Sequence, residues 1–479
     1  YNYSFLLFFL IKINYYIFYF FYFFKKNNLL NSGIVFNDDT FENNINKNHL
    51  NNDFIFQFDS QLKANLVGFT SLDRNFIKAM KKISFNYCPK PFLHASTAYH
   101  ISRRLPLSTY FIKTLPYNNF YKKINPSIEK IDYNERLIKY YFIKNAWVNF
   151  FLKNNIKVYL SWYKFYADHI IINDAINEIK GIGCIWQRSY EAYNNVDTEI
   201  TTDIFFTASK NQTKDNNLVI NKINTEICVG LLSLYNLNEI KFKAQEIRKK
   251  IKANGAENII CLFDQNSTDE YEHDLLKESY QIMLEEVMRN PKLGLVLKPK
   301  KTKTLYRRLG KEITSMIKNS LETGRCYIFN ESLEIQSSIP ISLPALIGDV
   351  CIAANLRAGT SAIESASLNK RTLMLDREGF PNSHFYNYNF KDVIFNNWQD
   401  LILNLRMFFN SQNKNENFGN WSNQINHFDP YRDGQAQFRM GEYLNDLILN
   451  INSGINKADC IDIANNKFIK KWGKDKIIV

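Results

Sequence analysis

Residues 349–376, DVCIAANLRAGTSAIESASLNKRTLMLD, hold the group of side chains most suited to chemistry. A short apolar run, 349–354, leads into Arg357-Ala358-Gly359-Thr360-Ser361. A helix-forming stretch, 362–368, and a second apolar run, 371–376, follow. The pattern reads strand, tight turn, helix, strand. Such a turn aims unpaired N–H groups and the positive end of a helix dipole at one point, which suits a phosphate. Gly359 would let the backbone approach that anion. The expected site is a nucleotide-diphosphate pocket. Ser361 and Glu364 also spell S-x-x-E, a capping box that needs only to close a helix start. From these residues alone both readings stay open.

Other polar groups join them at strand ends. Gln265-Asn266-Ser267 follows the apolar run 258–264, and Lys298-Pro299-Lys300 follows 293–298. If these runs are strands of one parallel sheet, the three turns share its carboxyl rim, where open α/β sheets bind ligands. Lys298 and Lys300 would neutralise a diphosphate as point charges, the alternative being a solvated lysine cluster.

In the first half, QRSYE (187–191) and FFTAS (205–209) end two further runs. Arg188 and Glu191 are placed on the acceptor side of a cleft, or else form a surface ion pair. Asp168, His169 and His94 are the candidate general bases, because transfer to a hydroxyl needs a carboxylate or imidazole within reach of its proton. Asp168 near a helix start is equally suited to capping. The chain has no GxSxG elbow, HExxH pair or Walker loop, which argues against serine hydrolases, zinc proteases and P-loop NTPases.

These residues need a scaffold of alternating elements. In the first half, strands are expected at 53–58, 109–113, 157–162, 183–187 and 203–208. Helices are expected at 74–83, 94–105 and 167–180, with helical spacing over 134–154. In the second half, helices at 238–253, 269–290 and 303–321 alternate with strands at 258–264, 293–298 and 326–330. This alternation predicts two parallel sheets covered on both faces, in two Rossmann-like domains facing across a cleft. At 479 residues the chain exceeds one ordinary core. The domains are expected at 33–215 and 226–451, joined through the polar stretch 209–225. An amphipathic helix, 434–451, would close the second domain, and 452–479 reads as a basic tail.

The first 24 residues are almost continuously apolar and aromatic, and Lys25-Lys26 follow. Residues 1–26 are long enough for an N-terminal transmembrane helix, and the lysines would leave the rest in the cytoplasm at the inner face of the membrane. An AT-rich sequence translated in error is the other reading.

The formal charge is +13, with 60 Lys and Arg against 47 Asp and Glu. Its lysines are scattered and no zinc-finger, RNP-like or basic-helix pattern accompanies them. No nucleic acid partner is therefore expected, and an anionic membrane surface or a phosphorylated substrate fits better. The seven cysteines stand singly, which points to a reducing compartment without a disulfide framework or structural zinc.

The second half, NIICLFDQNSTDE, LVLKPKK and SLPALIGDVCIAANLRAGTSAIESASLNKRTLMLD, resembles the nucleotide-binding half of bacterial GT-B-fold surface-polysaccharide biosynthesis glycosyltransferases. That group is related to the CDP-glycerol glycerophosphotransferases. FDPYRDGQAQFRMGEYL (428–444) resembles a closing signature of the same proteins, and 162–191 resembles their N-terminal core. The resemblance implies a metal-independent glycosyltransferase with no permanently bound cofactor. It would move a sugar from a nucleotide-sugar donor to a surface-polysaccharide or lipid-linked glycan. It also implies that Gly359, Thr360 and Ser361 hold the donor phosphates, Glu364 reaches the ribose, and Lys298 and Lys300 flank the diphosphate. Arg357 and Gln265 complete that set. The glycerophosphotransferases carry His-Pro where this chain has Lys300-Lys301, which favours a sugar donor over glycerol phosphate. A nucleotide-sugar epimerase of the same fold, or a non-catalytic scaffold of a polysaccharide assembly complex, are the alternatives.

Overall fold

The computed structural model describes strands at residues 33–37, 66–70 and 86–89, and most of the chain from 140 to 478. Within that span 141–143, 146, 153, 162–167, 191–198, 211–220, 236, 266, 268, 330–338, 358 and 411–414 fall outside the described residues. The expected anchor at 1–26, the elements expected at 53–58, 74–83, 94–105 and 109–113, and the candidates His94 and Glu191 also fall outside them.

One sheet is built from β1 (Gly33–Asn37), β2 (Leu66–Thr70), β3 (Asn86–Pro89), β4 (Ile156–Ser161), β5 (Ile182–Trp186), β6 (Thr201–Thr207) and β7 (Lys222–Cys228). All seven run parallel, in the spatial order β3-β2-β1-β4-β5-β6-β7. The second sheet holds β8 (Asn258–Phe263), β9 (Leu293–Lys298), β10 (Cys326–Ile328), β11 (Val350–Ala353), β12 (Arg371–Leu375) and β13 (Ile394–Phe395). It is parallel throughout, in the order β10-β9-β8-β11-β12-β13. Each sheet thus contains the doubly wound order 3-2-1-4-5-6, which has one switch point, at β1/β4 and at β8/β11. The strands are near-continuous apolar runs because helices cover both faces. All six residues of LGLVLK and all four of VCIA are buried, as parallel sheets require.

Helix α1 (Asp168–Glu178) links β4 to β5, and α2 (Leu237–Ala253) links the two sheets. In the second half α3 (Glu270–Arg289) and α4 (Leu305–Glu322) carry the chain from β8 through β9 to β10. Then α5 (Ser342–Ile347) precedes β11, α6 (Thr360–Ser367) joins β11 to β12, and α7 (Trp398–Asn410) follows β13. The chain ends in α8 (Ala436–Asn452), α9 (Lys457–Trp472) and β14 (Ile477–Ile478). Among the described residues no helix is long and apolar enough to cross a membrane.

Two sequence expectations about domain limits are corrected. The stretch 209–225 is no plain linker, because its end enters β7, an inner strand of the first sheet. Its residues Lys222–Thr225 look polar because the strand begins exposed and is buried only from Thr225 onward. The C-terminus also belongs to the first sheet. Met440, Tyr443, Leu444 and Leu447 of α8 and Cys460, Ile461, Ala464 and Phe468 of α9 share one core with Val158, Leu160, Ile204 and Phe206. Strand β14 then pairs antiparallel with β7. The expected tail hides an amphipathic helix whose buried residues recur at helical spacing between lysines and asparagines. The chain therefore passes from the first sheet to the second and back.

Six described cysteines, at 184, 228, 261, 326, 351 and 460, are free and buried. Cys184, Cys261 and Cys351 sit inside strands as small apolar residues.

Candidate functional site

The crossover from β8 runs by α3 toward β9, and that from β11 runs by α6 toward β12 on the other side. Doubly wound sheets bind ligands in the crevice at such a point, here between the carboxyl ends of β8 and β11. Asp264 and Gln265 leave β8 there, Lys298 ends the neighbouring strand β9, and residues 354–359 leave β11.

Lys298 is buried, 5% exposed. Its Nζ donates to the Pro299 carbonyl at 3.2 Å. Burial lowers its pKa to about 8, opposed by the charges of Asp264 and Glu364. Burial raises Glu364 to about 7, partly offset by a hydrogen bond from Ser233 and by Lys298. Burial likewise raises Asp264 to about 6, although it accepts the Lys300 amide N–H and the Tyr280 hydroxyl (3.2 Å). The Lys298 ammonium is thus held within reach of two carboxylate charges, and burial shifts all three groups toward neutrality. Pairs displaced in this way cluster at functional sites.

Lys300 extends to solvent, yet surrounding protein and then the like charge of Arg188 lower its pKa. Arg188 follows β5 in the first sheet. Arg188 of the first sheet is thus near enough for its charge to act on Lys300 of the second.

The turn after β11 differs in detail from the sequence reading. Gly359 is the N-cap of α6 with φ +53°, the left-handed region. A Cβ there would lie 2.2 Å from the Phe385 ring. Its glycine is explained by backbone conformation and by that aromatic ring, with no need of an approaching anion. Thr360 Oγ1 accepts the Tyr190 amide N–H at 2.9 Å, so this hydroxyl ties the two halves of the chain. The capping-box reading is also corrected. With Gly359 as the cap, Ser361 is the second helical residue, and Glu364 is buried four residues beyond the helix start. Ser361 remains half-buried at the helix start.

Arg357 does not point its charge at the crevice unopposed. Its guanidinium donates to Glu272 at 2.8 Å and to Glu378, and lies 5.2 Å from the Phe380 ring centroid. Asn355 also donates to Glu378. Arg357 is thereby a brace for the turn. Gln265 is half-buried beside Asp264.

On the first-sheet side, Asp168 opens α1, at the carboxyl end of β4 beside the β1/β4 switch point. His169 is the next residue, 5% exposed. Among the described residues no group of three or more His, Cys, Asp or Glu side chains could hold a metal.

Sequence reasoning passed over Asp264, Tyr190 and Phe385. Asp264 was readable as the first polar residue after an apolar strand. Tyr190 and Phe385 carried no local signal, since they meet only in the fold, 5.0 Å between ring centroids.

The closing segment 428–444 packs on both sheets, Phe428 with Ala353 and Met374 of the second and Met440 with Ile204 and Phe206 of the first. Arg439, 1% exposed, donates to both Asp433 carboxylate oxygens at 2.8 Å and to the Val229 carbonyl at 2.7 Å. Tyr431 stacks on that guanidinium at 3.6 Å and donates to the Cys228 carbonyl at 3.2 Å.

No protein-family profile matches the sequence, and no curated protein does. Among solved structures, the chain is similar to the S. aureus MnaA–UDP co-structure at 11% identity, over 88% of this chain and 97% of that one, with a TM-score of 0.49. The wall teichoic acid polymerase TagF gives 11% identity over 88% and 89%, with a TM-score of 0.46. The α,α-trehalose 6-phosphate synthase from Burkholderia multivorans gives 10% over 92% and 98%, with a TM-score of 0.43. At this distance the likenesses assign no activity.

Proposed function

We propose that this chain is a GT-B-type glycosyltransferase that takes a nucleotide-sugar donor in the crevice of its second sheet. The observation that carries the proposal is the set of charges at the β8/β11 switch point. Buried Lys298 sits there with Glu364 and Asp264, and the charge of Arg188 from the first sheet acts on Lys300. A nucleoside diphosphate is the ligand whose charge those cations match. Its ribose hydroxyls would hydrogen-bond the Glu364 carboxylate, and Ser361 at the start of α6 would donate to a phosphate oxygen.

Chemistry would follow from leaving-group stabilisation. As the bond to the sugar breaks, negative charge grows on the departing diphosphate, and cations already fixed in place lower that barrier. No bound metal is invoked. The acceptor hydroxyl would approach from the first sheet, with Asp168 or His169 accepting its proton. The acceptor is a surface-polysaccharide or lipid-linked glycan, and the protein would work at the cytoplasmic face of a membrane.

The test is thermal stabilisation of the chain by UDP, CDP, GDP, ADP and CMP. A ligand at about a hundred times its dissociation constant adds about 2.7 kcal/mol, visible as a raised melting temperature. A rise with one nucleoside diphosphate supports the reading and fixes the donor class. No rise with any of them defeats it.

A further inference from the structure

Outside the switch-point crevice, a cavity of about 610 Å3 opens between the starts of α3 and α4. Lys277, Lys301, Lys303, Arg307 and Arg308 line it, and Glu270 is the one carboxylate among its lining residues. Of the described turn residues at the crevice rim, only Ser267 and Lys301 also line it. Helix α3 separates the two places. Its residues 270, 273 and 277 face the cavity, whereas Glu272, on another side of the helix, holds Arg357.

Two features mark the cavity as more than a solvated basic face. Lys301, Lys303 and Arg307 form no ion pair among the described residues, in a cavity where five cations converge. Arg308 is 7% exposed and is spent on neutral acceptors, the Ser267 hydroxyl at 2.7 Å and the Lys301 carbonyl at 2.9 Å. Its Nε has no hydrogen-bond partner. The Arg308 charge is within reach of Asp264, yet its Nε–H stays idle beside a cavity where Lys301, Lys303 and Arg307 have no ion pair among the described residues, which leaves room for an added anion.

We infer that this cavity is a second anion site that takes a diphosphate group, separate from the donor crevice. Arg308 would supply a fixed N–H, and Lys301, Lys303 and Arg307 would supply charge from the rim. Two phosphates suit the count of cations better than one carboxylate does. The group could belong to a soluble phosphorylated acceptor or to a lipid headgroup, whose chemistry is the same at this site.

Pyrophosphate is the probe, titrated calorimetrically into Lys298→Ala/Lys300→Ala, which removes the lysines it would also meet in the crevice, and into the same chain carrying Lys303→Ala/Arg307→Ala as well. Lys303 and Arg307 are exposed, so their replacement leaves the fold intact, which circular dichroism checks. The expected result is binding in the double variant and about a tenfold or greater loss of affinity in the quadruple one. No binding in the double variant, or equal affinity in the two, overturns the inference. Sedimentation with phosphatidylcholine vesicles, with and without a polyprenyl diphosphate, separates the sources. Binding that needs the polyprenyl diphosphate and is lost on Lys303→Ala/Arg307→Ala assigns the site to a headgroup. Pyrophosphate binding without vesicle binding assigns it to a soluble diphosphate. Neither outcome depends on a nucleotide occupying the crevice, so the donor reading stands or falls separately.

Discussion

The amide N–H of Tyr190 donates to Thr360 Oγ1 at 2.9 Å, across 170 positions of sequence. It joins the end of β5 in the first sheet to the first residue of α6 in the second. The Tyr190 ring continues the contact, packing 5.0 Å from Phe385 and 5.4 Å from Phe428. The helix that starts beside the carboxyl end of β11 is thus held in place by the opposite half of the chain.

Replacing Thr360 by Val keeps the shape and removes the acceptor. Stability measured by urea unfolding should fall by about 1 kcal/mol, whereas Thr360→Ser should stay within about 0.5 kcal/mol of the original. Indistinguishable Val and Ser variants would show that the hydroxyl holds nothing.

Gly359→Ala should be severe. A left-handed backbone costs a non-glycine residue about 1–2 kcal/mol, and collision with Phe385 adds about 1–3 kcal/mol. Gly359→Val, with a larger side chain against the same ring, is predicted to unfold this region. A Gly359→Ala/Phe385→Leu double variant should recover part of the loss in thermal unfolding. Strict additivity of the two changes would remove the steric explanation.

The pH dependence has two opposing parts. Glu364, whose ordinary value is 4.5, rises to about 7 in the fold, and Asp264 rises from 3.8 to about 6. The folded chain then binds more protons than the unfolded one, so this contribution is full below pH 4 and is lost as pH rises to 7. Lys298 falls from 10.5 to about 8, so the unfolded chain holds more protons between those values and stability rises with pH there. Ligand binding runs the other way, because a neutral amine no longer attracts phosphate. Nucleoside diphosphate affinity should fall as pH rises above about 8, and Lys298→Arg should move that fall to higher pH. Affinity flat from pH 7 to 9.5 would show that Lys298 does not meet the ligand.

Arg439 ties α8 to the end of β7. Arg439→Lys keeps one charge and loses the paired contact with Asp433, the Val229 carbonyl and the stacking on Tyr431. The expected cost is about 3 kcal/mol in chemical unfolding. A cost below about 0.5 kcal/mol would mean that α8 docks without it.

The alternation of elements was legible wherever strands were long, apolar and buried on both faces, as in β8, β9 and β11. It was hidden where burial began late, as in β7, or where lysines and asparagines filled the outer face of a helix, as in α9. That the polar turns share one rim was legible for the same reason the strands were, since turns after the strands of a parallel sheet must lie on its carboxyl side. The wiring of the site was not. That Arg357 braces against Glu272 and Glu378, and that Gly359 makes room for Phe385, depends on contacts made only after folding. The residue types suggested phosphate chemistry in both cases, and the structure gives each a packing duty.

The central claim is that the β8/β11 crevice holds a nucleotide through its diphosphate. The direct measurement compares, by calorimetry, a nucleoside diphosphate and its nucleoside on the unaltered chain and on Lys298→Ala/Lys300→Ala. Loss of one phosphate contact costs a few kcal/mol at most, so the double variant should weaken the diphosphate by about a hundredfold or more and leave the nucleoside nearly unchanged. Equal losses for both ligands would contradict the claim, because lysines that touch phosphate cannot penalise a ligand that has none.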